Sequence, residues 1–225
     1  MAKIHNLLSE KAFKQEHHSR VMKEGFGELK KRHNALKNEI KSRLRQFSSL
    51  QDSDYFYELC FCLLTPQSNA QKCWQAVEKL KKCRFQGSKI ELCLRQNTRF
   101  YRNKSGYIKE AIRKWVEIKE KIMKIKEVIE LRNWLAENVK GLGYKEASHF
   151  LRNIGKSKNK IAILDRHILR NLKGYSVIKE IPKTISKKAY LDIEAGMRIF
   201  SEKTGIPLDE FDLLLWAKET GKVFK

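Results

Sequence analysis

The apolar residues of this chain recur at helical spacing, and hardly any window alternates them with polar residues as a half-buried strand requires. From Phe56 the set Phe56, Leu59, Cys60 and Leu63 falls at i, i+3, i+4 and i+7. Ile108, Ile112, Trp115 and Val116 repeat the pattern, as do Ala147, Phe150, Leu151 and Ile154. Such stripes are the core-facing sides of amphipathic helices. Only three prolines, Pro66, Pro182 and Pro207, interrupt 225 residues, so an all-α fold is expected. The stretch "TPQSNA" from Thr65 ends one helix and caps the next. Glycine and lysine punctuation at "KGLG", "GKSKNK" and "TGIPLDE" divides the second half into short helices joined by tight turns. No internal repeat or low-complexity linker marks a boundary, and the length suffices for a full core. Residues 1–225 are therefore read as a single unit.

Charge narrows the partners. Lys and Arg number 48 against 26 Asp and Glu, a net +22, and the basic residues are spread along the whole chain. A folded surface of this kind attracts polyanions; nucleic acid is the commonest of these, and anionic membrane is the rival. Adaptation to heat would raise both signs together, whereas here the acids lag. Met1 to Arg20 has no apolar segment of the secretory kind and no run of about eighteen apolar residues occurs, so neither a signal peptide nor a membrane span is expected, and the location is read as cytoplasmic. Cys60, Cys62, Cys73, Cys83 and Cys93 form an odd set without a CxxC pair or histidines at ligand spacing. They read as free, mostly buried thiols, and no metal site is expected.

The stretch "VKGLGYKEASHFLRNIG", Val139 to Gly155, carries the first functional signal. A helix ending near Val139, a turn from Lys140 to Tyr144 and a new helix from about Lys145 make a helix-hairpin-helix unit over about residues 130–155. Gly141 and Gly143 let the turn reach positive φ and leave backbone N–H groups uncovered. The amides of Gly141, Leu142, Gly143 and Tyr144, with the positive end of the second helix, then form a site for a phosphate oxygen. A contact of this kind positions a DNA strand without reading it. Taken alone, a Gly-x-Gly at a helix junction is equally a C-cap followed by a turn. Further along, an apolar run from Ile161 to Leu164 leads into Asp165, which stands where an N-cap belongs ahead of His167 to Leu172.

Lys145, two positions after the second glycine, and Asp165, twenty residues later in "LDRHILRN", together resemble the signature of the helix-hairpin-helix DNA glycosylase superfamily, the endonuclease III-like fold. Within it the chain is similar to the short 8-oxoguanine DNA glycosylase/AP lyases of archaea and some bacteria. "LLTPQSNAQKCWQAVEKL", "RFYRNKSGYIKEA" and "DEFDLLLWAKETGKVFK" carry that likeness, which spans about Phe47 to Lys225. Endonuclease III and the adenine glycosylases usually hold a four-cysteine iron–sulfur cluster near the C-terminus. No cysteine follows Cys93 here, so that cluster is excluded and no cofactor is implied. Lys140 replaces the proline that often precedes the first glycine, which leaves a grip made by backbone intact.

The resemblance implies two interleaved helical subdomains with the active-site cleft between them. It implies a monomeric bifunctional enzyme that excises 8-oxoguanine from double-stranded DNA and nicks the abasic site by β-elimination. Lys145 would be the nucleophile that forms a Schiff base, and Asp165 the carboxylate beside the sugar. A damaged base is out of reach inside a duplex and must be flipped into a pocket. That pocket would take Gln67, Ser68, Phe100 or its neighbour Tyr101, Asp212, Trp216 and Lys225, with Pro66 to Asn69 against the vacated stack. On spacing alone Trp216 is a core residue of a last helix with Phe211, Leu214 and Leu215, and Lys225 is a frayed end; the resemblance places both in the pocket. A non-catalytic DNA-binding module and a glycosylase for another damaged base are the alternatives. An RNA-binding role lacks the aromatic ribonucleoprotein strand motif.

Overall fold

The structure is a computed structural model that describes the backbone of residues 2–225 and the side chains of residues 25–225. Among these residues there is no strand, and the order is α1 (Ala2–Ser48), a 3-10 turn (Asp52–Asp54), α2 (Tyr55–Leu64), α3 (Ala70–Lys82), α4 (Ile90–Arg95), α5 (Tyr101–Lys124), α6 (Val128–Asn138), α7 (Tyr144–Asn153), α8 (Arg166–Gly174), α9 (Lys187–Thr204) and α10 (Leu208–Thr220). No helix of the described residues is long and apolar enough to cross a membrane.

The sequence of α2, "YFYELCFCLL", is apolar on nearly every side, and a helix of that composition has to be central. Leu59 to Leu64 are accordingly fully buried. The "TPQSNA" stretch ends α2 and caps α3, whose first turn is closed by Asn69 Oδ1 accepting from the Lys72 N–H at 3.0 Å. Ala147, Phe150, Leu151 and Ile154 of α7 are buried as their spacing requires. In α5 the expected stripe is displaced: Ile108 is buried, but Ile112 and Val116 are 37% and 72% exposed. The packed side instead runs through Ile108, Ala111, Ile118 and Ile122, with Trp115 partly covered at its edge. A 24-residue helix carries more apolar residues than its neighbours can cover, and alanine, the smallest of them, marks where the neighbours come close.

The buried residues form two cores. One joins α2 to α7, and the other joins α1 to α8, α9 and α10. The chain passes between them in the extended run Ile161–Leu164, where Ile161 belongs to the first core and Ala162 and Leu164 to the second. No strand pairs with this run, so its backbone groups are met by side chains of α9. The Ala162 N–H donates to Glu194 at 2.7 Å, and the Tyr190 hydroxyl donates to the Ala162 carbonyl at 2.7 Å.

Buried ion pairs tie the cores together. Arg132 of α6 reaches Glu194 of α9 at 2.5 Å, its guanidinium 5.1 and 5.8 Å from the ring centres of Tyr144 and Tyr190. Arg152 of α7 meets Asp212 of α10 at 3.2 Å. Glu58 of α2 binds the Lys225 ammonium and accepts from Asn153 at 3.0 Å. Removing one partner of such a pair leaves an uncompensated charge in the interior. Glu194→Leu should therefore lower stability by about 3–5 kcal/mol, while Arg132→Met combined with Glu194→Leu should recover most of that loss. Denaturant unfolding of both variants checks this; a double variant no more stable than the single would show that the charge pairing is not what Glu194 contributes.

Candidate active site

The hairpin between α6 and α7 is built on one conformationally special glycine. Gly141 has φ +92°, and a β-carbon there would lie 2.5 Å from the Tyr107 ring, so no other residue fits. Gly143 corrects the expectation that both glycines reach positive φ: it is extended, with φ −94° and ψ −173°, and forms the N-cap of α7. Its N–H already faces the Glu146 carboxylate at 3.3 Å. The Leu142 N–H is likewise committed, to the Val139 carbonyl at 3.0 Å, and its side chain is buried. The Gly141 and Tyr144 amides have no backbone partner among the described residues. Tyr144 turns its side chain inward, its hydroxyl donating to Asn133 at 2.9 Å. The hairpin thus offers backbone rather than side chains to a phosphate.

Beside it, between the two cores, opens a cleft of about 1360 Å³. Lys145 stands in the first turn of α7 on its wall, partly exposed, with its ammonium 3.4 Å from Glu146. Asp165 caps α8 on the same cleft; Oδ1 accepts from the Ile168 N–H at 2.8 Å. No other bond to this carboxylate occurs among the described residues. An amine and a carboxylate, each at a helix start, therefore face one cavity.

Gln67, Ser68, Asp212, Trp216 and Lys225 line the cleft as well. In α10 the apolar residues divide by depth: Phe211, Leu214 and Leu215 are fully buried, while Trp216 is partly exposed to the cleft with its ring edge-on to His167 at 5.1 Å. Burial pushes the Asp212 carboxyl up to about 7, against the pull of Arg152 and with a further push from the charge of Asp165. Lys225 is anchored rather than frayed, its ammonium bonded to Glu58 and 3.3 Å from the centre of the Trp74 ring. Phe100 and Tyr101 do not join this wall. Phe100 is 52% exposed with φ +55°, its ring beside the Arg99 guanidinium, and Tyr101 packs against the first core.

Three residues on or just behind the cleft wall were not legible beforehand. His149 lies one turn beyond Lys145, edge-on to Phe61, with neither ring nitrogen hydrogen-bonded. Burial, reinforced by Arg152, Lys145 and Lys225, pushes its pKa far below the usual histidine range, so the ring is neutral. Arg152 follows on the same helix face, a spacing from Lys145 that could have flagged both. Lys104 has no such signal in so lysine-rich a chain.

A family model described as 8-oxoguanine DNA glycosylase matches residues 40–206. The chain belongs to that family. It is 46% identical over 221 residues to the 8-oxoguanine DNA glycosylase/AP lyase of Fusobacterium nucleatum, a match that covers 90% of this chain and 98% of the relative. The crystal structure of the Thermotoga maritima 8-oxoguanine DNA glycosylase superposes with a TM-score of 0.82 at 34% identity, covering 91% of this chain and 100% of that one. The Methanocaldococcus jannaschii 8-oxoguanine glycosylase/lyase, solved in complex with a 15mer DNA containing 8-oxoguanine, superposes equally well, TM-score 0.82 at 36% identity over 89% of this chain and 99% of that one. The helix-hairpin-helix glycosylase architecture is thus the fold of this family member.

Two outcomes follow from the geometry. Gly141→Ala should lower the thermal midpoint and weaken duplex binding together, because the β-carbon must displace Tyr107 and so reshape the hairpin; unchanged binding in a folded variant would detach the hairpin from DNA. The second concerns Asp212. A carboxyl whose folded pKa is raised contributes stability while protonated and loses it as pH rises from the unfolded value, 3.8, through the folded one, about 7. Wild type should therefore lose stability relative to Asp212→Asn as pH increases from 4.5 to 8, by up to ~1.4 kcal/mol per pH unit. Thermal unfolding of both across that range measures it, and parallel curves would mean that Asp212 stays ionised throughout.

Proposed function

We propose that this protein excises 8-oxoguanine from double-stranded DNA and then nicks the resulting abasic site by β-elimination. The observation that carries the reading is the pairing of Lys145 and Asp165 on one cleft beside the hairpin. A DNA-binding module without chemistry has no use for that pairing. The net charge of +22 supplies the long-range attraction for the duplex, and the hairpin amides, above all those of Gly141 and Tyr144, hold a phosphate next to the cleft.

Breaking the N-glycosidic bond sends its electron pair to the base and leaves positive charge on the sugar. Asp165, held by the Ile168 N–H, stabilises that charge across the reaction. The Lys145 amine attacks C1′ with its lone pair and gives up a proton, and the C1′–O4′ bond then breaks, its electron pair going to the ring oxygen, to leave the Schiff base. The imine acidifies the C2′ proton; its removal expels the 3′ phosphate and cuts the strand, and water then hydrolyses the imine. The flipped base is taken up against Trp216, with Asp212 and Ser68 supplying polar contacts and Lys225 closing the inner wall, while Gln67, exposed at its loop apex, faces the gap the base leaves. Asp212, near half-protonation at neutral pH, offers both a donor and an acceptor to the base edge. The protein works as a monomer, without a cofactor, in the cytoplasm with the nucleoid.

Lys145→Gln should abolish both the borohydride-trapped covalent adduct and strand cleavage while leaving duplex affinity. Asp165→Asn keeps a capping oxygen and should fold, yet lose about two to three orders of magnitude in base release. Single-turnover assays on duplexes that each carry one defined damaged base check all of this. An adduct that survives in Lys145→Gln would assign the nucleophile elsewhere, and preference for another base would redirect the substrate.

A further inference from the structure

Lys104 is buried without a carboxylate partner. Its ammonium lies 2.7 Å from the Leu64 carbonyl, 2.8 Å from the Pro66 carbonyl, 2.9 Å from Ser68 Oγ and 2.7 Å from Thr98 Oγ1. Leu64 is the last residue of α2, and the other three acceptors belong to two loops, Thr65–Asn69 and Asn97–Phe100, which line the cleft through Thr65 to Asn69 and Asn97 to Arg99. Ser68 Oγ also accepts from the Arg99 N–H at 2.9 Å and lies 3.1 Å from Thr98 Oγ1, so the loops are laced through one cation.

The apex of the first loop, Gln67, is exposed and left-handed, φ +53°; Phe100 on the second is exposed with φ +55°. A non-glycine residue keeps such a backbone only where its surroundings over-determine it, and what underlies both apices is Lys104. The side chains that the strain holds outward are an amide and an aromatic ring, which suit a gap in a base stack: one offers hydrogen bonds, the other a stacking face. A lysine suits the task beneath them, since its three protons point in three directions and every contact made by the ammonium is charge-assisted. Removing a base from the helix opens such a gap, and a loop already shaped to fill it lowers the cost of flipping.

Resting on the excision reading above, we propose that Lys104 is a positioning residue: it holds the Thr65–Asn69 loop against the Asn97–Phe100 loop, in the shape that enters the duplex in place of the flipped base. It touches neither the base nor the sugar. Its loss should therefore fall on base extrusion and spare the chemistry at a sugar whose base is already gone.

The test compares wild type with Lys104→Met, which keeps the stem and loses the donor, and with the milder Thr98→Val, which removes one acceptor. Three readouts are taken: excision from an 8-oxoguanine duplex, nicking of a pre-formed abasic site, and fluorescence of 2-aminopurine next to the lesion, which rises when the stack opens. Lys104→Met is expected to lose excision by about 30- to 100-fold and to lose the fluorescence rise, with abasic nicking within about threefold of wild type. Thr98→Val should lose the same two readouts more weakly, and the double variant no more than Lys104→Met alone, as expected of residues that act through one contact. Equal falls in excision and nicking, additive losses, or an intact fluorescence rise in Lys104→Met would overturn the proposal. Should Lys104→Met not fold, Thr98→Val decides by the same selective loss. Wild-type protein that opens the stack without excising 8-oxoguanine would count against the functional reading and leave the loop's role supported.

Discussion

Two hydrophobic cores in one short chain need something to fix their relation, and here it is charge taken out of water. Arg132–Glu194 and Arg152–Asp212 each join a helix of the first core to a helix of the second, and Glu58–Lys225 fastens the C-terminal residue to the first core. Apolar contact alone would tolerate sliding, because one methyl group packs against another in many registers. An ion pair in the interior tolerates one geometry, since any other leaves a bare charge. The cleft is the gap between the cores, and its amine and its helix-capping carboxylate come from opposite sides: Lys145 from a helix of the first core and Asp165 from the cap of a helix in the second.

The same pairs set the electrostatics of the wall. Arg152 pulls the Asp212 carboxyl back against the upward push of burial while contributing, with Lys145 and Lys225, to keeping His149 uncharged. On this wall Asp165 is bonded only through Oδ1, to the start of α8, which leaves its second oxygen uncommitted among the described residues. A fold that gathers cations to attract phosphate has to shelter its acids if it also needs one for chemistry. Capping a helix achieves this with a single bond.

What was legible in the sequence was local. The helical class, the α2 and α7 stripes, the Asn69 and Asp165 caps and the hairpin all depend on residues a few positions apart, and the structure has them where the spacing puts them. The α5 stripe was misplaced because Ile112 and Val116 are as apolar as the residues that pack, and which side is covered depends on neighbours far along the chain. Glu194 and Lys104 were missed for the same reason in stronger form. Glu194 finds its arginine 62 residues away, and Lys104 finds its first carbonyl 40 residues away. Gly143 shows the converse: its type was noticed, but its role is to cap α7 within reach of Glu146 rather than to turn the chain.

The passage from Ile161 to Leu164 carries one more consequence. Successive side chains of an extended segment point in opposite directions, and here Ile161 serves one core while Ala162 and Leu164 serve the other, with Ile163 on the cleft. Adding or deleting one residue would exchange the two faces along the whole run and swing Asp165 away from Lys145. The stretch can therefore change its letters, within what is apolar and fits, without disturbing either core, but a change in its length would disturb both, so the count of residues separating hairpin from aspartate is set by packing.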